Sequence, residues 1–224
     1  MGEIQQAFER LEAGGIAAPA DALARLDEHM RLIREWNRVV SLISKPDLAA
    51  LETRHVVDSL SLAPVLTAKG WASGLLLDVG SGAGFPAVPL AVVLPELSVL
   101  LVERSDRKVG FLRKVVAALG LERIRIVCGE FPTVSADFRP DVVSARAVEH
   151  PAKIVEAMGS YVLGGAVFLC QAGDPRVLVP EMFHVEPSGP KFHVEHWVDD
   201  WTHAQLRRGE LYLVSKAEPT PSTP

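Results

Sequence analysis

The chain has 224 residues, 48% of them hydrophobic and 23% charged, with a formal net charge of −5. That length suits one α/β domain of about 150 residues with a short extension, and the composition supports a packed core and excludes a chain disordered along most of its length. The acidic balance excludes a protein that coats nucleic acid through bulk charge, so any contact with nucleic acid has to be local.

The longest apolar candidate for a membrane span, Leu90 to Leu94, stops at Pro95 and Glu96, far short of the ~18 residues a span requires. Met1-Gly2-Glu3-Ile4-Gln5 lacks the basic and apolar segments of a secretory signal, so a soluble, cytoplasmic protein is expected. Cys128 and Cys170 are too few for a disulfide framework or a four-ligand zinc site. Flanked by strand-like residues, both are expected to be buried and reduced.

From Ile4 to Val40 apolar residues recur at helical spacing, as in Leu23, Leu26, Met30, Ile33 and Trp36, with Arg31, Arg34 and Arg38 off that stripe. A second helical stretch over 51–66 carries Val56, Leu60 and Ala63 on one side and ends near Gly70. The first seventy residues therefore read as helical. After Gly74 the pattern changes to short β runs at 75–79, 99–102, 124–127, 142–144 and 166–170, with helices over 86–94, 107–119 and 151–162 between them. This βα alternation predicts a doubly wound, Rossmann-like α/β sheet. The last strand is expected at 210–215 and disorder in the Pro-rich tail. The division that follows is a helical cap over 1–69, a ligand-binding domain over 70–216 and a tail over 217–224.

The most informative segment is LLLDVGSGAGFP, from Leu75 to Pro86. An apolar strand ends in an acid, Asp78, followed by Gly80, Gly82 and Gly84 and then a helix start. Glycines at alternate positions let backbone amides and a ligand approach each other closely. The spacing G-x-G-x-G differs from the dinucleotide fingerprint G-x-G-x-x-G, and Glu103 stands at the end of the next strand, where a ribose partner belongs. Asp78 is placed to hold the loop amides or the amino group of a methionine moiety. Together these features favour S-adenosylmethionine over NAD. A glycine-rich turn that merely packs tightly is the plainer alternative, but it does not explain Asp78, three glycines and Glu103 in register.

At this point the chain resembles the 16S rRNA guanine-N7 methyltransferase family, also called the glucose-inhibited division protein B family. The resemblance covers most of the chain and rests on Trp36-Asn37, on R-H-V-V-D-S at Arg54 to Ser59, on DVGSGAGFP, on E-R-S-D-R-K-V-G-F-L at Glu103 to Leu112, and on D-V-V-S-A-R-A at Asp141 to Ala147. It implies a class I methyltransferase with a seven-stranded, mostly parallel sheet and a helical N-terminal extension, using S-adenosyl-L-methionine on small-subunit ribosomal RNA. It further implies that Gly80, Phe85, Gly129, Glu130 and Arg146 contact the cofactor, with Glu130 on the adenine side. Arg54, His55, Asp58 and Pro86 are the candidates for the substrate side. Alone, His55 would be read as a packed or solvated helical histidine, and Arg146 as a surface arginine after a strand. The chain departs from the family pattern at Ser41-Leu42-Ile43, where N-L-T is usual, at Ala87, and at Gln171, where a lysine is common.

Guanine N7 carries an in-plane lone pair, so transfer to it needs positioning rather than a general base, and no catalytic acid or base and no metal are expected. Ser144-Ala145-Arg146-Ala147 stands where an exocyclic-amine enzyme would resemble N/D-P-P-Y/F, and no basic neighbour marks Cys170 as a nucleophile. Two basic segments could meet phosphate: Arg104, Arg107, Lys108, Arg113, Lys114, Arg123 and Arg125, and Arg31, Arg34, Arg38, Lys45 and Arg54. Charge alone would read them as solvated helix faces. FHVE occurs twice, at 183–186 and 192–195. Its histidines lack a recognised metal-ligand spacing and its flanking prolines suggest a loop. FHVE can be encoded as the self-complementary TTC CAC GTG GAA, which resembles the core of chromosome-partition protein sites, and a different reading is that the repeat answers to a constraint on the gene. The main reading is an rRNA methyltransferase acting as a monomer. Its rivals are a methyltransferase for a small molecule or protein, and a non-catalytic cofactor-binding module.

Overall fold

The computed structural model describes residues 2–135, 137–146, 151–171, 173–183, 191–204, 206–207 and 209–217. Five strands run parallel: β1 (Leu75–Val79), β2 (Ser98–Glu103), β3 (Ile124–Cys128), β4 (Val142–Ala145) and β5 (Val167–Cys170). Two more, β6 (Phe192–Trp197) and β7 (Leu211–Lys216), are antiparallel and complete a seven-stranded sheet in the order β3-β2-β1-β4-β5-β7-β6. The chain winds outward from β1 to β3 and then returns to β4 on the other side of β1. The crevice between the carboxyl ends of β1 and β4 is thus the switch point at which open α/β sheets bind ligands.

Both faces of the sheet are covered, which is why its central strands are nearly continuous apolar runs. Leu76, Val99 and Leu101 face one core, Leu77, Val79, Leu100 and Val102 the other, as the period-two geometry of a strand requires. The first core lies beneath α1 (Glu3–Ala13), α2 (Ala22–Trp36), α6 (Ala87–Val93) and α7 (Asp106–Leu119); the second lies beneath α8 (Pro151–Leu163). Between α2 and α6 run three short helices, α3 (Lys45–Ala49), α4 (Asp58–Leu60) and α5 (Ala63–Ala68), and α9 (Pro175–Leu178) and α10 (Asp200–His203) follow β5 and β6. Among the described residues no helix is long and apolar enough to cross a membrane.

Several expectations are corrected. The stripe from Ile4 to Val40 is two helices, because Gly15 at φ 78° turns the chain at the end of α1. Ile16 N–H donates to Leu11 O at 2.8 Å and Gly15 N–H to Glu12 O at 2.9 Å, the paired bonds of a Schellman cap. Leu23 is 41% exposed; the buried face of α2 instead includes Ala22, Leu26, His29 and Ile33. The stretch over 51–66 is also discontinuous: a π-helical segment, Glu52–Val57, runs into α4, and α5 restarts with Pro64 in its first turn. The second FHVE copy is strand, not loop, because β6 pairs along its length with β7, whereas residues 184–190, with most of the first copy, lie outside the described residues. So does the tail beyond Ala217. Cys170 is buried but Cys128 is exposed, since it ends the edge strand β3 where the covering layer stops.

Candidate functional site

β1 delivers Asp78 to the switch point, and the loop from Gly80 to Pro86 then turns into α6. Pairing of β1 with β4 sets Asp78 beside Ser144, whose hydroxyl donates to Asp78 Oδ1 at 2.7 Å. Asp78 is fully buried, and its other oxygen, Oδ2, has no hydrogen-bond partner among the described residues. Burial pushes its carboxyl up to about 7 despite the hydroxyls of Ser144 and Ser81 and the charge of Arg146, which pull it down; the charge of Glu103 adds to the rise. An unpaired carboxylate oxygen in a dry site is costly, and it is placed to receive a cationic donor.

Gly80, Gly82 and Gly84 have φ of 71°, 52° and 90°. At Gly84 a Cβ would also come within 2.7 Å of Val88 Cγ2 and 3.4 Å of His29 Nε2. We therefore expect Gly84→Ala to cost about 1–3 kcal/mol through backbone strain and crowding; a urea midpoint equal to wild type would contradict this. Gly82 N–H donates to Glu103 Oε2 and Ser105 N–H to Oε1, both at 2.9 Å. An ionised carboxylate has about four acceptor positions, so Glu103 anchors the loop and retains capacity for the two hydroxyls of a ribose.

Gly129, just beyond β3, donates its N–H to Glu103 O at 3.0 Å. With φ at 152°, a Cβ there would run into Val134, so the backbone lies close against the next turn; Glu130, the following residue, is exposed. From the opposite side, Arg146 after β4 reaches the N-terminal helices: Nη2 meets Asp58 Oδ2 at 2.5 Å, and Nη1 donates to Ser59 Oγ at 3.3 Å. Asp58 is 1% exposed, so its carboxylate addresses Arg146 rather than solvent. Phe85 is held between two histidine rings, His55 and His29, each 5.0 Å away between centroids. Pro86 is buried at the start of α6.

Asp78, the glycine loop, Phe85, Glu103, Gly129 and Arg146 thus converge at the carboxyl ends of β1, β2, β3 and β4, and His55 and Asp58 join them from the N-terminal helical region. Arg54 points elsewhere, pairing with Asp47 at 2.7 Å while its side chain stays 41% exposed. Other basic residues are similarly engaged: Arg31 with Glu28 at 2.6 Å and Glu35 at 3.0 Å, and Arg123 with Glu96 at 2.8 Å. Gln171 follows β5 with a buried Nε2 that has no hydrogen-bond partner among the described residues. Sequence reasoning missed His29, although a polar residue three positions after Leu26 and four before Ile33 on a buried stripe is a visible signal.

A cradle that Cβ atoms would fill, a carboxylate with room for a ribose diol and a buried acid awaiting a cation match, in turn, the approach, the sugar and the ammonium of S-adenosylmethionine. Fold and site together define a Rossmann-like, S-adenosylmethionine-dependent methyltransferase. The model of the family rRNA small subunit methyltransferase G, GidB, matches residues 22–176, and the chain belongs to that family. Curated relatives carry the name ribosomal RNA small subunit methyltransferase G. That of Neisseria meningitidis serogroup C is 34% identical over 74% of this chain and 79% of its own length, and that of Alkalilimnicola ehrlichii is 36% identical over 73% and 68%. Among solved structures, the S-adenosylhomocysteine-bound methyltransferase PaMTH1 of Podospora anserina shares the fold, with a TM-score of 0.56 at 12% identity over 94% of this chain and 95% of that one.

Proposed function

We propose that the protein methylates N7 of a guanine in 16S ribosomal RNA, and that it works in the cytoplasm as a monomer. One observation supports this above the others: the R-H-V-V-D-S segment of the cap meets the crevice directly, His55 on Phe85 and Asp58 with Ser59 on Arg146. A surface that presents RNA and a loop that holds a methyl donor would then share side chains. S-adenosylmethionine, when bound, supplies an electrophilic methyl group on a positively charged sulfur.

In this reading Asp78 accepts from the donor's ammonium group, Glu103 accepts from its ribose, and Gly80, Gly82 and Gly84 allow the backbone to close on it. Phe85, Gly129 and Glu130 border the same crevice, and Pro86 with His55 marks where the substrate side begins. Arg146 spans both sides. Guanine N7 is unprotonated at neutral pH, so no side chain has to remove a proton. The chain's contribution is to align the base and keep water out, which can supply several kcal/mol by proximity alone, up to about 7–11. Residues 1–69 serve as the cap that shapes the RNA side, with Arg54 at its outer edge.

The test is transfer of labelled methyl from S-adenosylmethionine to small-subunit particles and RNA from cells lacking the gene, followed by mapping of the labelled nucleotide. We expect label at a single guanine N7, and a loss of about a hundredfold in kcat/KM for Arg146→Ala, the scale of losing a charged hydrogen-bond network. Label on another atom, or on protein or a small molecule alone, would refute the reading. Cofactor binding with no transfer would favour a non-catalytic module and direct attention to Gln171.

A further inference from the structure

The loop after β1 is fixed partly from outside the sheet. His29, midway along α2, is fully buried. Its ring lies 5.0 Å from that of Phe85 and 6.5 Å from that of Phe111 on α7, and its Nε2 is 2.8 Å from the Ala83 carbonyl oxygen. A carbonyl can only accept, so Nε2 carries the proton and donates. Nδ1 is then a bare acceptor, buried with no hydrogen-bond partner among the described residues. Burial holds the imidazole down at about 4, against the opposing pull of the Ala83 bond, so the ring is neutral under ordinary conditions and its tautomer is fixed.

Packing alone does not account for an imidazole here. A leucine would fill an apolar stripe of α2 without burying two ring nitrogens, one of them unsatisfied, which carries a penalty. What the imidazole adds is a donor aimed at Ala83 O. Ala83 lies between Gly82, whose N–H is held by Glu103, and Gly84, whose N–H donates to Ser81 O at 2.6 Å, so with His29 on the Ala83 carbonyl the Ala83–Gly84 peptide is held at both of its polar groups. We infer that His29 is a positioning residue for the cofactor loop: its Nε2–H holds the Ala83 carbonyl toward α2 and thereby fixes the Ala83–Gly84 peptide, and with it the path of the loop into α6. The cap helix is in this way part of the cofactor site as well as of the RNA side. The inference rests on the proposed reading of the loop as the methyl-donor site.

Glutamine and methionine at position 29 are close in shape, and only the glutamine amide can donate at the place of Nε2. Binding of S-adenosylhomocysteine to the wild type, His29→Gln and His29→Met is measured by calorimetry, together with urea unfolding and methyl transfer to 16S RNA. We expect His29→Met to bind about tenfold more weakly and His29→Gln to bind within about twofold of wild type, the scale of one buried hydrogen bond. KM for S-adenosylmethionine should rise in parallel in the Met variant, with kcat at saturating cofactor changed by no more than about twofold. Equal affinities for the Gln and Met variants, whether strong or weak, would overturn the assignment. So would a Met variant that fails to fold beside a Gln variant that folds, or a failure of both to fold, since the bond or the ring would then serve the fold and not the loop. A wild-type protein that binds no S-adenosylhomocysteine would instead overturn the proposed function.

Discussion

Asp78→Asn should weaken binding of S-adenosylmethionine about a hundredfold and, in the cofactor-free protein, should remove a pH dependence of stability. In the proposed reading of the site, the first effect is the loss of a charged acceptor for an ammonium group, a bond of about 1.5–3 kcal/mol. The second follows from the sign of the carboxyl's shift. Burial raises Asp78 to about 7, so the folded state holds a proton that the unfolded chain releases near the ordinary carboxylate value. Below that value both states are protonated and the group is neutral in the balance. As pH rises towards 7 the unfolded state alone ionises and stability falls by about 1.4 kcal/mol per pH unit; above 7 the loss is complete and constant. Asparagine does not titrate, so the difference between variant and wild type should move in the variant's favour by about 4 kcal/mol between pH 4 and pH 8. Urea unfolding of both proteins at these two pH values measures that movement, and parallel behaviour would show that Asp78 is not held protonated. At pH 8 a fixed concentration of S-adenosylmethionine that saturates the wild type should stabilise the wild type more than the variant, by up to about 2.7 kcal/mol for a hundredfold difference in affinity.

The properties that matter at Asp78 were only half visible in the sequence. A strand, an acid and alternating glycines announce themselves locally, because strand periodicity and the need for positive φ are local properties. The sequence could not show that Ser144 would occupy Oδ1 and that Oδ2 would have no partner among the described residues, which depends on β1 pairing with β4 across 66 residues of chain. The same holds for the cap. R-H-V-V-D-S is recognisable as a motif, but its π-helical turn, the burial of Asp58 and the reach of Arg146 to it are tertiary facts. Leu23 shows the opposite case, a residue with apolar periodicity on the exposed side of α2, while the polar His29 occupies the buried side. At β6 the flanking prolines suggest a loop, while its strand form depends on a partner, β7, that arrives later in the chain.

Arg207→Ala should cost about 3–5 kcal/mol of stability, the usual consequence of removing one partner of a buried charged network. The guanidinium side chain has no exposed surface. Nη1 and Nη2 donate to Asp199 Oδ1 and Oδ2 at 3.0 and 2.8 Å, Nε donates to Ser61 Oγ at 3.1 Å, and Nη2 also donates to Ser61 O at 2.6 Å. Burial by itself would push the Asp199 carboxyl up, but hydrogen bonds from Arg207 and Trp197, together with the charge of Arg207, hold it below the usual carboxylate range. Its stabilising contribution is therefore present above the ordinary carboxylate pKa and is lost as pH falls through the lower folded value. In the alanine variant that acid-side loss should disappear, so the gap between variant and wild type should narrow in acid; urea midpoints at pH 7 and pH 3 test both the size and the narrowing. Function should follow stability for a geometric reason. Ser61 Oγ donates to Asp58 O at 2.6 Å, and Asp58 is the partner of Arg146, so releasing Ser61 loosens the segment on which Arg146 rests. Transfer to RNA should fall at temperatures where the variant is still folded, with binding of S-adenosylhomocysteine less affected, whereas full activity in a folded variant would show that Arg207 supports the fold and nothing further.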